Sequence, residues 1–172
     1  VMEAARAVLA ERFGYGEFRP GQRAVVEAVL AGRDALAVMP TGAGKSICYQ
    51  VPACVLPGLT VVVSPLVSLM ADQVRSLKEA GVRGAYLNST LTPAQQAEVL
   101  HRARAGAYDV MYVAPERLAD PRFVEFAAEA AIPFVAVDEA HCVSQWGQDF
   151  RPSYLSIGDF IAALPERPVV AA

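Results

Sequence analysis

Two short segments contain the residues whose types and spacing could do chemistry. One is the glycine-rich stretch Met39-Pro-Thr-Gly-Ala-Gly-Lys-Ser46, and the other is the acidic stretch Val137-Asp-Glu-Ala-His141. Each closes an apolar run that predicts a buried strand, at residues 35–39 and 134–137. Together they predict a site that holds the phosphates of a nucleoside triphosphate and hydrolyses it.

The glycine-rich segment is predicted to wrap around phosphate oxygens. Its glycines can adopt positive φ angles and leave no Cβ in the way, and the helix that follows would point its free N–H groups at the anion. Lys45 would reach the β and γ phosphates, and the Ser46 hydroxyl would ligate Mg²⁺. The predicted nucleotide-contacting residues of this segment are Thr41, Gly42, Ala43, Gly44, Lys45 and Ser46.

An incidental glycine-rich turn before a helix is the alternative interpretation of this segment. Met39 stands where the general phosphate-binding pattern has its first glycine. The predicted strand before the segment and the predicted helix after it favour the phosphate-binding interpretation. The chain has only two lysines, Lys45 and Lys78, and one of them lies where the pattern requires a lysine.

The acidic pair lies at the predicted carboxyl end of a strand, where open α/β sheets bind ligands. Asp138 would hold Mg²⁺ through water, because this ion keeps most of its hydration shell. Glu139 would orient and deprotonate the attacking water. A solvated acidic pair that ends a strand is the alternative, and the glycine-rich segment upstream argues against it.

Composition sets further limits. The chain has 172 residues, of which 54% are hydrophobic, and this suits one domain with a sheet buried on both faces. No apolar run is long enough to span a bilayer and no signal peptide is visible, so we expect no membrane partner. Three scattered cysteines favour a reducing compartment and argue against a zinc site. The net charge of −3 counts mildly against nucleic-acid binding.

Strand and helix patterns alternate along the chain and predict a mostly parallel sheet between two helical layers. The predicted strands are 34–39, 60–64, 83–87, 109–113, 133–137 and one beginning near Pro168. The predicted helices are 3–13, 20–31, 45–55, 66–80, 93–105, 120–130 and 153–164. The sequence ends in an apolar strand pattern without a turn or cap, from which we expect residues 1–172 to be a domain truncated at its C-terminal end.

Several further segments resemble the RecQ family of superfamily 2 DNA helicases. They are Phe18-Arg-Pro-Gly-Gln22, Ser64-Pro-Leu-Val-Ser-Leu-Met-Ala-Asp-Gln73, Tyr112-Val-Ala-Pro-Glu-Arg-Leu118, Val137-Asp-Glu-Ala-His141 and Cys142-Val-Ser-Gln-Trp-Gly-Gln-Asp-Phe-Arg-Pro-Ser-Tyr154. The resemblance implies the first RecA-like, P-loop NTPase domain of a 3′–5′ DNA helicase, with a three-layer α/β/α fold. It also implies a second RecA-like domain in the same protein.

By the same resemblance, the segment before the glycine-rich stretch contacts the base and fixes the nucleotide. Tyr15 would stack on adenine, Gln22 would hydrogen-bond the adenine edge, and Arg19 would help to fix the nucleotide. A side-chain amide suits this role because it offers a donor and an acceptor side by side. Packing of Tyr15 against the first helix is the alternative for that residue.

Residues that follow the predicted strands are implied to line the path of single-stranded DNA. They are Pro65, Leu66, Pro115, Glu116 and Arg117. Asn88 and Ser89 could offer amide and hydroxyl donors to phosphates. A turn before a helix capped by Thr92 is the alternative for the segment 88–90.

The segment around Trp146, the only tryptophan, lacks the apolar periodicity of a core element. Aromatic faces and an arginine suit base stacking and phosphate contact. The resemblance carries this role to Trp146, Phe150 and Arg151, although Gln148 stands where the family usually has histidine. His141 is implied to couple the nucleotide and DNA sites, and a purely structural histidine is the alternative.

The sequence therefore predicts the ATP- and Mg²⁺-binding motor domain of a DNA helicase that acts on single-stranded, tailed or forked DNA in replication, recombination or repair. We expect a cytoplasmic, nucleoid-associated protein of a bacterium. An RNA helicase, a binding module that does not hydrolyse nucleotide, and a small-molecule kinase are the competing hypotheses.

Overall fold

The computed structural model describes residues 1–40, 44–143 and 151–172. The strands are β1 (Thr60–Val63), β2 (Gly84–Leu87), β3 (Val110–Val113), β4 (Phe134–Val137) and β5 (Val169–Ala171). The α-helices are α1 (Met2–Phe13), α2 (Pro20–Leu30), α3 (Ile47–Val55), α4 (Val67–Glu79), α5 (Pro93–Arg104), α6 (Pro121–Glu129) and α7 (Ile157–Ala163). Short 3₁₀ helices span Pro115–Ala119, Ala140–Val143 and Pro152–Ser156.

The five strands form one parallel sheet in the order β2-β3-β1-β4-β5. Runs of β-branched and other apolar residues make the central strands, and β1 and β3 are buried along their whole length. All the strands run the same way, so their carboxyl ends meet at one edge of the sheet. The predicted parallel α/β sheet is confirmed.

Side-chain alternation divides the core into two layers, one on each face of the sheet. Val61 and Val63 of β1 pack with residues of α5, α6 and α7. Val62, between them, packs on the opposite face with residues of α2, α3 and α4. Helix α1 lies outside α2 and α3 and buries Leu9 against them. The arrangement is the predicted three-layer α/β/α fold.

The predicted buried strand at 34–39 is wrong in its extent and its burial. Residues 35–37 form three backbone hydrogen bonds with residues 170–172, and the pairing amounts to one bridge between Ala35 and Ala171. Leu36 and Val38 are 78% and 94% exposed, while Ala35, Ala37 and Met39 pack against the core. The segment lies at the edge of the sheet, so only alternate side chains face the core.

The predicted helix at 153–164 is only partly α-helical. Its first turn is the 3₁₀ helix Pro152–Ser156, in which the Tyr154 N–H donates to the Arg151 carbonyl at 3.0 Å. Helix α7 begins after it, at Ile157. In this tighter helix the Tyr154 side chain points into the core.

Candidate active site

The acidic pair lies directly beyond β4 at the carboxyl edge of the sheet. The Asp138 N–H still donates to the Val63 carbonyl of β1 at 2.9 Å, so the sheet fixes where the pair begins. The backbone then turns sharply, because Glu139 has a φ of 55°. Among the described residues other than glycine, Glu139 is the one with a positive φ. Its N–H donates back to Asp138 Oδ1 at 3.0 Å.

Glu139 lies between two basic side chains. Its Oε1 is 3.8 Å from Lys45 Nζ, and its Oε2 is 3.5 Å from His141 Nδ1. Lys45 precedes α3 and His141 lies in the 3₁₀ helix that follows the acidic pair. The fold thus brings together three of the four predicted catalytic side chains, and the fourth, Asp138, precedes Glu139 in sequence.

Burial raises the pKa of Asp138 above its ordinary range, and the neighbouring Glu139 carboxylate raises this pKa further. The N–H of Glu139 and the charges of Lys45 and His141 oppose the shift only in part. A partly desolvated carboxylate beside a second one is poorly balanced by the protein alone. A cation bound there would relieve this imbalance.

The donors present fit Mg²⁺ held together with a phosphate substrate. Oxygen ligands such as the Asp138 carboxylate and the Ser46 hydroxyl suit this ion. Within residues 1–40, 44–143 and 151–172, no group of three or more His, Cys, Asp or Glu side chains could hold a metal. This donor set suits an ion that completes its shell with water and substrate phosphates rather than a dedicated protein site.

Gln22 links the segment before the glycine-rich stretch to that stretch. Its side chain is only 5% exposed. Its Oε1 accepts from the Arg19 N–H at 3.0 Å, and its Nε2 donates to the Gly44 carbonyl at 3.0 Å. One amide hydrogen and one lone pair remain for another partner, because an amide offers two of each.

The contact between Gln22 and Gly44 leaves no room for a side chain at position 44. Its φ is 75°, and a Cβ built on it would lie 2.5 Å from Gln22 Nε2. Tyr15, the other residue predicted to contact the base, is 54% exposed. This exposure favours an available aromatic face over packing against α1. Arg19 begins α2 as its N-cap and is exposed.

A cavity of about 490 Å³ opens beside the charged side chains. Lys45, Asp138, Glu139 and His141 line one side, and apolar residues that include Leu36, Val38 and Met39 line the other. Its volume falls in the range of small-molecule pockets.

Seven of the residues predicted to contact DNA lie at the same edge, beyond β1, β2 and β3. Pro65 and Leu66 are half-buried, and the Leu66 N–H donates to Ser64 Oγ at 3.2 Å. Pro115 is buried, whereas Glu116 is exposed. Arg117 donates to Asp120 Oδ2 at 3.1 Å, and it also contacts the Gln96 side chain.

Asn88 and Ser89 differ in what they can offer. Asn88 is buried; its Oδ1 accepts from the Thr90 N–H at 2.9 Å and its Nδ2 donates to Met70 Sδ at 3.4 Å. Ser89 is exposed. Thr92 caps α5 as predicted, with its Oγ1 accepting from the Gln95 N–H at 3.1 Å. The Asn88 side chain therefore shapes the turn, and Ser89 keeps its hydroxyl at the surface.

Sequence reasoning gave no role to Tyr154, which the structure joins to the acidic pair. Its hydroxyl donates to the Asp138 carbonyl at 2.8 Å. Neighbouring Ser153 donates to Glu116 at 3.4 Å, and the Arg151 N–H donates to the Cys142 carbonyl at 2.9 Å. The signals in the sequence are the place of Tyr154 at the end of a segment that resembles the RecQ family, and Pro152, two residues earlier, which suits the start of a turn.

Five of the predicted site residues lie outside the described residues. They are Thr41, Gly42, Ala43, Trp146 and Phe150. Arg151 is described and exposed.

None of the helices in the described part of the chain combines the length and apolar character needed to cross a membrane.

The parallel sheet, the lysine before α3 and the acidic pair beyond β4 are arranged as in a RecA-like helicase domain. Residues 19–171 match the DEAD/DEAH box helicase family, and the chain belongs to that family. The RecA-like fold is shared with a hypothetical ATP-dependent RNA helicase from Sulfolobus tokodaii, at a TM-score of 0.75 and 20% identity. That likeness covers 99% of this chain and 50% of the other.

Similarity to RecQ helicases extends over the whole chain and confirms the resemblance. The chain is 47% identical to the ATP-dependent DNA helicase RecQ of Bacillus subtilis over 100% of its length, and 47% identical to that of Haemophilus influenzae over 97%. A probable ATP-dependent DNA helicase RecS of Bacillus subtilis is 42% identical over 99% of the chain. The chain spans 29%, 27% and 34% of these three relatives, respectively.

Proposed function

We propose that residues 1–172 form the first RecA-like motor domain of a RecQ-like helicase that unwinds DNA in the 3′–5′ direction. The observation that carries the proposal is the placement of two sets of residues along one sheet edge. Lys45, Asp138 and Glu139 meet beyond β4, and the predicted strand-contacting residues follow the three strands on one side of it. Identity of 45–47% to three bacterial RecQ helicases supports DNA as the nucleic acid.

In this proposal each charged side chain has a separate task in ATP hydrolysis. Lys45 binds the β and γ phosphates and Glu139 accepts a proton from the attacking water. Asp138 and Ser46 would hold Mg²⁺, which when bound neutralises charge on the phosphates. Tyr15 and Gln22 bind the base, and Arg19 helps to fix the nucleotide. The ion pair between Lys45 and Glu139 then opens when phosphate takes the place of the carboxylate.

The part of the carboxyl edge beyond β1, β2 and β3, called the strand side after the DNA strand, is proposed to hold DNA chiefly through the sugar–phosphate backbone of the DNA. Ser89 and Arg151 are exposed, and their hydroxyl and guanidinium groups suit phosphate contacts, while Glu116 and Arg117 follow β3 in the 3₁₀ helix Pro115–Ala119. Trp146 and Phe150 are proposed to stack on bases. The proposed substrates are single-stranded DNA and tailed or forked duplexes, and the proposed setting is the bacterial cytoplasm at the nucleoid, in replication, recombination or repair.

The proposed domain works with a second RecA-like domain of the same protein. An arginine supplied by such a partner can contribute a factor of about 10³–10⁵ in rate. Residues 1–172 alone are therefore expected to bind nucleotide weakly and to hydrolyse almost none. DNA-stimulated turnover by these residues alone at the rate of the full-length protein would contradict this part of the proposal.

The test is the ATPase rate of the full-length protein without nucleic acid, with single-stranded DNA and with single-stranded RNA. DNA is expected to stimulate hydrolysis strongly, and RNA to stimulate it little. Lys45→Ala should abolish hydrolysis. Lys78→Ala is the matched control, because Lys78 is the other lysine and lies exposed in the last turn of α4. Equal stimulation by RNA, or none by DNA, would contradict the proposed substrate.

A further inference from the structure

The peptide between Asp138 and Glu139 is held from both of its polar ends. Its carbonyl oxygen accepts from the Tyr154 hydroxyl at 2.8 Å, and its N–H donates to Asp138 Oδ1 at 3.0 Å. The orientation of this peptide plane sets ψ of Asp138 and φ of Glu139. The φ of 55° at Glu139 therefore depends on groups that hold this plane.

Glu139 occupies a left-handed conformation that non-glycine residues adopt rarely, and the surrounding contacts must hold it there. In that conformation its carboxylate lies between Lys45 and His141. If the peptide turned over, φ would return to the ordinary negative range and the carboxylate would point elsewhere. The Tyr154 hydroxyl is the tertiary contact that opposes this rotation, because it reaches the carbonyl from 16 residues away in the sequence.

The packing around Tyr154 holds its side chain in one position. Its side chain is 1% exposed and packs in the core layer that contains Cys142, Leu118 and Ile157. Its hydroxyl is the donor of the hydrogen bond to Asp138, because a backbone carbonyl can only accept.

The 3₁₀ helix that carries Tyr154 also contacts the strand side. Ser153 Oγ donates to Glu116 Oε1 at 3.4 Å, beyond β3, and the Arg151 N–H donates to the Cys142 carbonyl. One short element, Pro152–Ser156, thus contacts both the segment after β3 and the peptide that orients Glu139.

We propose that Tyr154 is a positioning residue, which holds the Asp138–Glu139 peptide in the orientation needed for hydrolysis and ties it to the strand side. This inference rests on the proposed function, because it assigns Glu139 to the attacking water. Tyr154 touches no substrate atom and acts through Glu139. Its effect therefore falls on the chemical step and leaves nucleotide binding unchanged.

Tyr154→Phe in the full-length protein tests this inference, because it removes one hydroxyl and keeps the ring that fills the core. Loss of one hydrogen bond at the reacting end of the site is expected to lower kcat about ten-fold. The KM for ATP and the affinity for single-stranded DNA should stay within about two-fold, which also reports that the variant is folded. The matched control is Tyr112→Phe, which removes a buried hydroxyl bonded to Tyr49 and Gln50 in the core.

A double variant shows whether Tyr154 acts through Glu139. In a Glu139→Gln background, Tyr154→Phe should cause no further loss of kcat, because residues that act as a unit are not additive. An unchanged kcat in Tyr154→Phe, an equal loss in Tyr112→Phe, or additive losses in the double variant would each overturn the inference. If the unsubstituted protein shows no DNA stimulation, the proposed function fails, and the same comparison of basal kcat still decides the role of Tyr154.

Discussion

The carboxyl edge of the sheet has two halves, the nucleotide half beyond β4 and the strand half, which is the strand side beyond β1, β2 and β3. The polar groups of the two halves are balanced in opposite ways. Beyond β4, Asp138 and Glu139 are adjacent carboxylates, and the pKa of Asp138 is raised by burial and by its neighbour. Beyond β2 and β3, polar side chains are satisfied within the protein, with Asn88 bonded to Thr90 and Arg117 bonded to Asp120.

The difference matches what each half is proposed to bind. A site that binds a metal ion and phosphates can carry charges that the protein balances only in part, because these ligands complete the balance. A surface that holds a nucleic-acid backbone of any sequence needs a fixed shape and a few exposed donors, since phosphate contacts position the strand without reading its bases. The internal hydrogen bonds of Asn88 and Arg117 provide the fixed shape.

The largest expected effect is on the nucleotide half. Glu139→Gln keeps the size and hydrogen-bonding capacity of the side chain but cannot accept the proton of the attacking water. Loss of a general base lowers kcat by about 10²–10⁴-fold. Single-turnover hydrolysis in the full-length protein measures the loss, and single-stranded DNA affinity should stay unchanged. A parallel loss of DNA affinity would break the division between the two halves.

Arg151→Ala should affect the strand half instead. Removing one phosphate contact is expected to weaken single-stranded DNA binding about ten-fold and to reduce the slope of log K against log salt by about 0.7. Fluorescence anisotropy at several salt concentrations measures both. Arg75→Ala is the matched control, because Arg75 is an exposed arginine paired with Asp72 on α4. Equal weakening by the two substitutions would indicate only a general charge effect.

Asp138→Asn should stabilise the protein in the absence of nucleotide while it abolishes hydrolysis. Asparagine keeps an oxygen that accepts from the Glu139 N–H and removes a partly desolvated charge. The expected gain in the free energy of unfolding is about 1 kcal/mol at pH 7. Thermal unfolding of the nucleotide-free protein measures it. A variant that is less stable than the unsubstituted protein would show that Lys45 and His141 more than balance the Asp138 charge.

The gain from Asp138→Asn should depend on pH in a defined direction. The folded-state pKa of Asp138 lies above the ordinary value of 3.8, so proton binding favours the folded state. That contribution is fully present below the ordinary pKa and is lost as pH rises through the raised one. The stability difference between variant and unsubstituted protein should therefore shrink as pH is lowered from 7 towards 4. A constant difference would contradict the raised pKa.

The smallest effect is expected where the two halves meet. Ser153→Ala removes an exposed hydrogen bond of 3.4 Å to Glu116, and a contact of this length at the surface contributes little. The ATPase rate with DNA should change less than about two-fold. A loss of ATPase rate as large as that of Tyr154→Phe would indicate that Ser153, rather than the Tyr154 hydroxyl, links the two halves.

Patterns that act locally allowed most of the fold to be predicted from the sequence. The runs at 60–63, 110–113 and 134–136 are buried on both faces, and Thr92 caps its helix as predicted. The strand before the glycine-rich segment was harder, because Leu36 and Val38 have the composition of core residues. Their exposure follows from a position at the sheet edge, which only strand order reveals.

The proximity of Lys45 to the acidic pair could be predicted, because the residue types and their places next to predicted strands indicated one shared site. Two features of the site could not be predicted. The left-handed φ of Glu139 contradicts the preference of a non-glycine residue, so no propensity indicates it. The hydrogen bond of Tyr154 joins residues from separate elements, and its hydroxyl has the same appearance in the sequence as that of any core tyrosine.

The pairing of residues 35–37 with β5 has a consequence for synthesis on the ribosome. Asp34 accepts a hydrogen bond from the Val170 N–H, 136 positions later in the chain, and the neighbouring bridge joins Ala35 to Ala171. Domains form as their segments emerge in order from the N-terminus, and contacts between distant segments form late. A nascent chain would therefore carry Lys45 long before β5 has emerged, and the segment that precedes Lys45 could be anchored to the sheet only after residue 171 has been synthesised.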